Sequence, residues 1–293
     1  MKPFGRILTA MITPFNEDFS VNYQEAAKLA KYLVAHGSDG LVVAGSTGES
    51  ATLTHDEKLK LFSTVLEAVG DKASVIAGTG SNDTFASIAF TKEAEKLGVH
   101  GAMLVGPYYN KPPQEGFYQH FKMIAESTTL PIIVYNVPGR TGSNILPPTI
   151  ARLAEIPNIV AVKEASGSLD QVSEIIRTTP KDFLVYSGDD SLTLPILAVG
   201  GVGVISVAAH AVGTKMQEMV TAFVHGDSLR AKELHLELLP FFKVIFVTTN
   251  PIPIKTAVSL LGLNAGPLRP PLISSTPGET DQIRQVMQNL AVL

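Results

Sequence analysis

From Arg6 to about Val224 the chain alternates short apolar runs with longer amphipathic ones, in a beat of about 25 to 30 residues. The apolar runs are Ile7–Pro14, Gly40–Gly45, Ser74–Gly78, Gly101–Val105, Pro131–Asn136, Ile159–Glu164, Phe183–Gly188 and Gly203–Val207. Unbroken apolar runs of this length suit strands buried on both faces, as in a parallel sheet covered by helices. The stretches between them have helical spacing. In Tyr23–His36, residues Ala26, Ala27, Leu29, Ala30, Leu33 and Val34 form one face, and Gly37 is the stop. Asp56–Val69, Asp83–Leu97, Gln114–Ser127, Pro147–Ala154, Leu169–Thr178, Leu192–Val199 and Val212–His225 fill the same role. Eight strand–helix pairs close into an α/β fold of the (β/α)8 TIM-barrel class. A doubly wound open sheet uses the same alternation; the count and the absence of a composition break favour the barrel. After Gly226-Asp227 the pattern becomes helices without strands: Ser228–Leu239, Pro240–Thr249, Pro253–Leu261 and Pro277–Leu290, with a Pro- and Gly-rich linker at Asn264–Pro271. Residues 1–226 are therefore expected to form the barrel and residues 227–293 a small C-terminal helical domain.

Composition narrows the chemistry. The 293 residues contain no cysteine, which excludes disulfides, thiolate nucleophiles and thiolate metal sites. A formal charge of −4 without a long charge run gives no footprint for nucleic acid or an acidic membrane and suits a small neutral or anionic metabolite. The seven histidines (His36, His55, His100, His120, His210, His225, His235) show no metal-ligand spacing, so no metal is expected. The segment Met1–Arg6 has no hydrophobic core or small-residue cleavage site, and no apolar stretch of about 18 residues follows, which predicts a cytoplasmic protein.

In such a barrel, residues just after each strand face one pocket. After strand six, Lys163 closes the run Ile159–Glu164 and precedes the small-residue turn Ala165-Ser166-Gly167. A lysine in a partly dry pocket has a lowered pKa and a lone pair free to attack a carbonyl, which is Schiff-base chemistry. A strand-end lysine emerging into water reads the same. After strand two, Gly45-Ser46-Thr47-Gly48-Glu49-Ser50 offers a close-approaching backbone and two hydroxyls for a carboxylate or phosphate, or is simply a tight turn. After strand four, Tyr108 and Tyr109 can relay protons or form a subunit contact. After strand five, Tyr135 and Arg140 combine a phenol with a guanidinium able to hold a carboxylate bidentately. After strand seven, Asp189 or Asp190 reads as a helix cap rather than a metal ligand. At strand eight, Gly200-Gly201-Val202-Gly203 is too short and misplaced for a dinucleotide fingerprint. One lysine with tyrosines, hydroxyls and an arginine suits a keto acid, whose carbonyl meets the amine and whose carboxylate needs donors.

Five segments together resemble the 4-hydroxy-tetrahydrodipicolinate (dihydrodipicolinate) synthases, within the pyruvate-dependent Schiff-base aldolases and lyases. They are Gly45–Ser50, Pro107–Asn110, Tyr135–Gly142, Val162–Glu164 and Asn250–Lys255. The resemblance implies that pyruvate condenses with Lys163, that the imine becomes an enamine, and that the enamine attacks L-aspartate-4-semialdehyde on the diaminopimelate route to lysine. By position it makes Tyr135 the proton donor and acceptor. It joins Tyr135, Ser46 and Tyr109 in a relay, with Tyr109 reaching in from a neighbouring subunit. Ser46 and Thr47 would also hold the pyruvate carboxylate, Arg140 the semialdehyde's carboxylate, and Gly188 and Ile205 would line the pocket. The covalent adduct would be the only prosthetic chemistry, with no separate cofactor. The intersubunit tyrosine implies a homotetramer built as a dimer of dimers.

Two departures matter. The synthase pattern has Thr-Thr where this chain has Ser46-Thr47, and Gly-Ser-Thr-Gly-Glu is more typical of N-acetylneuraminate lyases, which remain the alternative. Pro138–Gly142 and Asn250–Pro253 look like the synthase. Secondly, Ser50, Ala51, His55, Asn82 and Tyr108 match the inhibitory lysine site of regulated members, but Lys58 and Ala86 replace a histidine and a glutamate. Losing a carboxylate and gaining an ammonium predicts weak or absent inhibition by lysine. A non-catalytic keto-acid binder would lack a relay residue, and Lys163, Tyr135, Tyr109 and Arg140 are all present.

Overall fold

The computed structural model describes residues 4–293. Eight strands form a closed barrel in chain order: β1 (Ile7–Ala10), β2 (Gly40–Val43), β3 (Ser74–Gly78), β4 (Gly101–Val105), β5 (Ile132–Asn136), β6 (Ile159–Glu164), β7 (Leu184–Ser187) and β8 (Gly203–Ser206). The helices are α1 (Tyr23–Ala35), α2 (His55–Val69), α3 (Thr84–Lys96), α4 (Gln114–Ala125), α5 (Pro138–Thr141), α6 (Pro147–Leu153), α7 (Leu169–Thr178), α8 (Thr193–Ala198), α9 (Ala209–Val224), α10 (Ser228–Val244), α11 (Ile252–Leu260) and α12 (Pro277–Asn289). The α/β barrel with a C-terminal helical region is thus the observed architecture. Among the described residues no helix is long and apolar enough to cross a membrane. The chain gathers into two compact units, one holding the residues up to Ala73 with Ser206–Leu293 and the other Ser74–Ile205.

In the first unit β1 and β2 pair in parallel, with Thr9 opposite Leu41. The run expected to continue to Pro14 leaves the ladder early: the Ile12 N–H turns to His210 Nε2 at 3.1 Å, and Pro14 has no donor. The His210 Nδ1–H donates to the Val207 carbonyl at 2.8 Å. Burial keeps that ring neutral, with its pKa pushed down to about 4. Helices α2 and α12 begin with capping boxes, Thr54 with Glu57 and Thr276 with Glu279. Helix α9 starts three residues before the expected Val212, which instead forms a kink inside it. The adjacent Gly213 lets α9 close on the end of α1, since a Cβ there would come within 2.4 Å of the His36 carbonyl oxygen.

Pro240 does not divide two helices as the sequence suggested. Helix α10 runs through it, with Ala231, Leu234, Leu238, Phe241 and Phe242 buried on both sides of the proline. The missing N–H costs a bond to the carbonyl of Leu236, an exposed residue where water can take its place. The apolar stripe therefore outweighs the break.

In the second unit β3 to β8 pair in parallel without a crossover. Their outward residues, including Leu104, Val134, Val162 and Val185, pack with Phe117, Phe121, Ile150 and Ile175 in one apolar cluster. Asp189 caps a 3-10 turn at Asp190–Leu192, accepting from the Ser191 N–H at 2.9 Å, as the capping reading expected. Gly200–Val202 form the turn between α8 and β8, and Gly203 opens β8, so the run is followed by a strand and not by a helix. The single-turn helix α5 was not foreseen from the sequence.

Candidate active site

Strand β6 aims Lys163 by means of an irregularity. Ile159 and Val162 both belong to the outer apolar cluster, although residues three apart on a regular strand face opposite ways. The pairing with β5 explains this: Ile132 lies opposite Ile159 but Ile133 lies opposite Ala161, so Val160 is an extra residue. The bulge reverses the parity of the strand beyond it. Val162 and Glu164 consequently face the helices, and Lys163 faces the barrel interior beside Tyr135, its register partner on β5, and Tyr186 on β7.

Lys163 is 5% exposed, and its Nζ lies over the Tyr135 ring, 4.3 Å from the centroid. Burial lowers its pKa to about 8; the Asp190 carboxylate opposes that shift and the Arg140 guanidinium adds to it. The ring face also attracts an ammonium. Desolvation wins, so a substantial share of the amine is neutral near physiological pH. The Tyr135 phenol, also buried, is pushed up to about 12 by desolvation, with Arg140 pulling the other way. It is therefore protonated at rest.

Gly188 extends the strand ladder, its N–H donating to the Glu164 carbonyl at 2.8 Å. A Cβ at this position would meet that of Ala165 at 2.6 Å. Ile205 is buried on β8. Arg140 lies exposed on α5, whose next residue, Thr141, is tied to the Val137 and Ser143 carbonyls.

Behind Lys163 and Tyr135 lies a polar cluster that sequence reasoning missed. Asn136 Nδ2 donates to both Glu164 oxygens, at 3.2 and 3.0 Å, and to Asn144 Oδ1 at 2.7 Å. Gln171 Nε2 on α7 reaches Glu164 Oε2 at 3.2 Å, and the Ser166 N–H reaches Glu164 Oε1 at 2.7 Å. The residues after Tyr135 and Lys163 thus clamp β5, β6 and the segment following Arg140. No spacing rule joins these four positions, which meet only once the register is set.

Tyr109 differs from Tyr135: it is 89% exposed, at φ +72°, on the loop before α4. Tyr108 is also exposed, and its carbonyl accepts from Asn82 Nδ2 at 3.1 Å.

In the first unit, the segment after β2 is a compact turn in which the Gly48 and Ser50 N–H groups donate to the Gly45 carbonyl and that of Glu49 to the Ser46 carbonyl. Thr13 Oγ1 donates to the Gly48 carbonyl at 2.7 Å. Ser46 is half-buried and Thr47 buried, and Thr47 Oγ1 accepts from Asn250 Nδ2 at 2.9 Å. Glu49, also buried, accepts from Lys255 Nζ and from the Arg269 N–H, both at 2.9 Å. Ser50 is half-buried at the start of a 3-10 turn, Ala51 and His55 are exposed, and burial lowers the pKa of the half-buried Lys58.

Residues 3–290 match the model of the Dihydrodipicolinate synthetase family. The 4-hydroxy-tetrahydrodipicolinate synthase of Moorella thermoacetica is 61% identical over 290 residues, 99% of each chain. That of Desulforamulus reducens is 58% identical over 291 residues, 99% of this chain and 98% of the relative. The crystal structure of the Cyanidioschyzon merolae enzyme with lysine bound superposes with a TM-score of 0.99 at 48% identity, covering 100% of both chains. With a family match over nearly its whole length, and relatives this similar, the chain belongs to the dihydrodipicolinate synthetase family.

Proposed function

We propose that the protein condenses pyruvate with L-aspartate-4-semialdehyde to give 4-hydroxy-tetrahydrodipicolinate, through a Schiff base on Lys163. The observation that carries this reading is the buried Lys163 amine, with its pKa lowered to about 8, held against the Tyr135 ring. The neutral amine adds to the pyruvate carbonyl carbon. Tyr135 gives a proton to the oxygen as water leaves, forming the imine. Loss of a methyl proton gives the enamine, whose carbon bonds to the aldehyde carbon of the second substrate. Attack of that substrate's amine on the imine carbon closes the ring and releases Lys163. Ser46 and Thr47 receive the pyruvate carboxylate and Arg140 that of the semialdehyde. Gly188 and Ile205 shape the wall, and Tyr135, Ser46 and Tyr109 share the proton traffic.

The test is intact-protein mass after borohydride reduction with pyruvate, beside turnover assays with the semialdehyde and with N-acetylneuraminate. A reduced pyruvyl adduct on Lys163 with turnover of the semialdehyde is expected. Turnover of the sugar acid alone would place the chain among the lyases, an adduct without turnover would make it a keto-acid binder, and no adduct would refute the reading.

The exposed Tyr109 ring supports a role completed by a second subunit, and a homotetramer assembled as a dimer of dimers is the proposed form. Sedimentation is expected to give a tetramer's mass, and a fully active monomer would contradict it. The Cyanidioschyzon merolae relative holds lysine. In this chain Ser50, Ala51, His55, Asn82 and Tyr108 would frame such a site, but Lys58 adds a cation and Ala86 supplies no carboxylate for the ligand's ammonium. Lysine is expected to inhibit weakly or not at all, and strong inhibition at low lysine concentration in a coupled assay would overturn this.

A further inference from the structure

We infer that Asn250 is a positioning residue for pyruvate binding, setting the direction of the Thr47 hydroxyl proton; this rests on the proposed role of Thr47 in holding the pyruvate carboxylate. A hydroxyl has one proton and two lone pairs. A carboxylate only accepts, so Thr47 helps bind it only by donating. The neighbour of Thr47 decides whether that proton is available: a neighbour that accepts withholds it, whereas one that donates leaves it for the ligand. Asn250 is 6% exposed and presents its amide Nδ2 to Thr47 Oγ1, which is 3% exposed, at 2.9 Å. That polarity occupies a lone pair and frees the proton.

The same part of the chain prevents the turn from adjusting on its own. Five residues beyond Asn250, Lys255 Nζ holds Glu49 Oε1 at 2.9 Å and the Pro267 carbonyl at 2.6 Å. The Arg269 N–H holds the other oxygen of Glu49 at 2.9 Å, and the Arg269 guanidinium reaches the Thr52 carbonyl at 2.6 Å. Thr47 and Glu49 are thus gripped two residues apart by one C-terminal segment. Thr47 is also β-branched, so its hydroxyl has few rotamers in which to escape the amide.

The test is a double-mutant cycle on the full-length protein, reading the pyruvate concentration for half-maximal borohydride trapping on Lys163. Thr47→Val is expected to raise that concentration about tenfold, and Asn250→Leu, which keeps the hydroxyl but leaves its proton undirected, to raise it a few-fold, while in both variants, each close in shape to the original, Lys163 is still fully modified at saturating pyruvate. The combined variant is expected to resemble Thr47→Val alone, because Asn250 acts only through the hydroxyl that Thr47→Val removes. Asn250→Asp, which can only accept and adds a charge, should raise the concentration further than Asn250→Leu. An unchanged half-saturation in Asn250→Leu, or effects that multiply in the combined variant, would overturn the inference. Asn250→Ala runs in parallel with thermal melting. If neither the Leu nor the Ala variant folds, Asn250 is a structural strut and the positioning role fails. Absence of any adduct in the unsubstituted protein would instead strike the Schiff-base reading itself.

Discussion

Lys163→Ala is expected to abolish turnover, by a factor on the order of 10⁴ or more, without loss of the folded state. Lys163 supplies the only bond by which pyruvate is proposed to be activated, so no residual path runs through the same intermediate. The stability expectation follows from the same burial. With the folded pKa at about 8 against 10.5 for an ordinary lysine, the folded protein binds fewer protons than the unfolded chain between those values. Stability from this group therefore rises with pH across that interval. Below about pH 8 the folded state carries the full cost of a buried, poorly solvated ammonium, about 3 kcal/mol. Alanine removes that cost and loses some packing, so the melting temperature at neutral pH should hold or rise. A large fall in melting temperature would show that Lys163 contributes to the fold as well. In the unsubstituted protein the trapping rate should rise about tenfold per pH unit up to about pH 8 and level off above it, as the neutral amine accumulates. A rate flat from pH 6.5 to 8.5 would contradict the depressed pKa.

Lys163 also marks what the sequence makes legible. The apolar run that ends at it is visible as a buried strand, and the eight-fold beat assigns its end to the barrel mouth. The direction of the side chain is not visible. It depends on the extra residue Val160, a choice of pairing partner made in the register with β5, and no local pattern in Ile-Val-Ala-Val-Lys announces it. The clamp of Asn136, Asn144, Glu164 and Gln171 is hidden for the same reason, since its members lie on separate elements. Pro240 shows the opposite failure: the local break signal is clear, and the apolar face of α10 overrides it. Asn250 and Lys255 stand in the segments that carry the resemblance, yet only the fold shows them gripping Thr47 and Glu49.

That grip leads to the second large effect, on stability. Lys255→Met is expected to destabilise the protein by about 3–5 kcal/mol, because it leaves the Glu49 carboxylate buried without its cation. At this chain length that corresponds to a fall in melting temperature on the order of 10 °C. Both side chains are almost wholly inaccessible, and the Lys255 ammonium also lies 4.4 Å from the centroid of the Phe15 ring. The Lys255 pKa is lowered even so: desolvation outweighs the attraction of Glu49, which works the other way. The ammonium is thus held against a desolvation cost, and removing both charges should be milder than removing one. Glu49→Gln combined with Lys255→Met is expected to recover much of the loss, since the glutamine oxygen can still accept the Arg269 N–H. Activity separates stability from function. If the grip serves only the fold, pyruvate half-saturation in the combined variant should match that of the unsubstituted protein. Because Glu49 lies two residues from Thr47, the expected result is a raised half-saturation that persists after stability is restored. Equal losses in the single and combined variants would show that the ion pair itself, and not the stranded carboxylate, carries the stability.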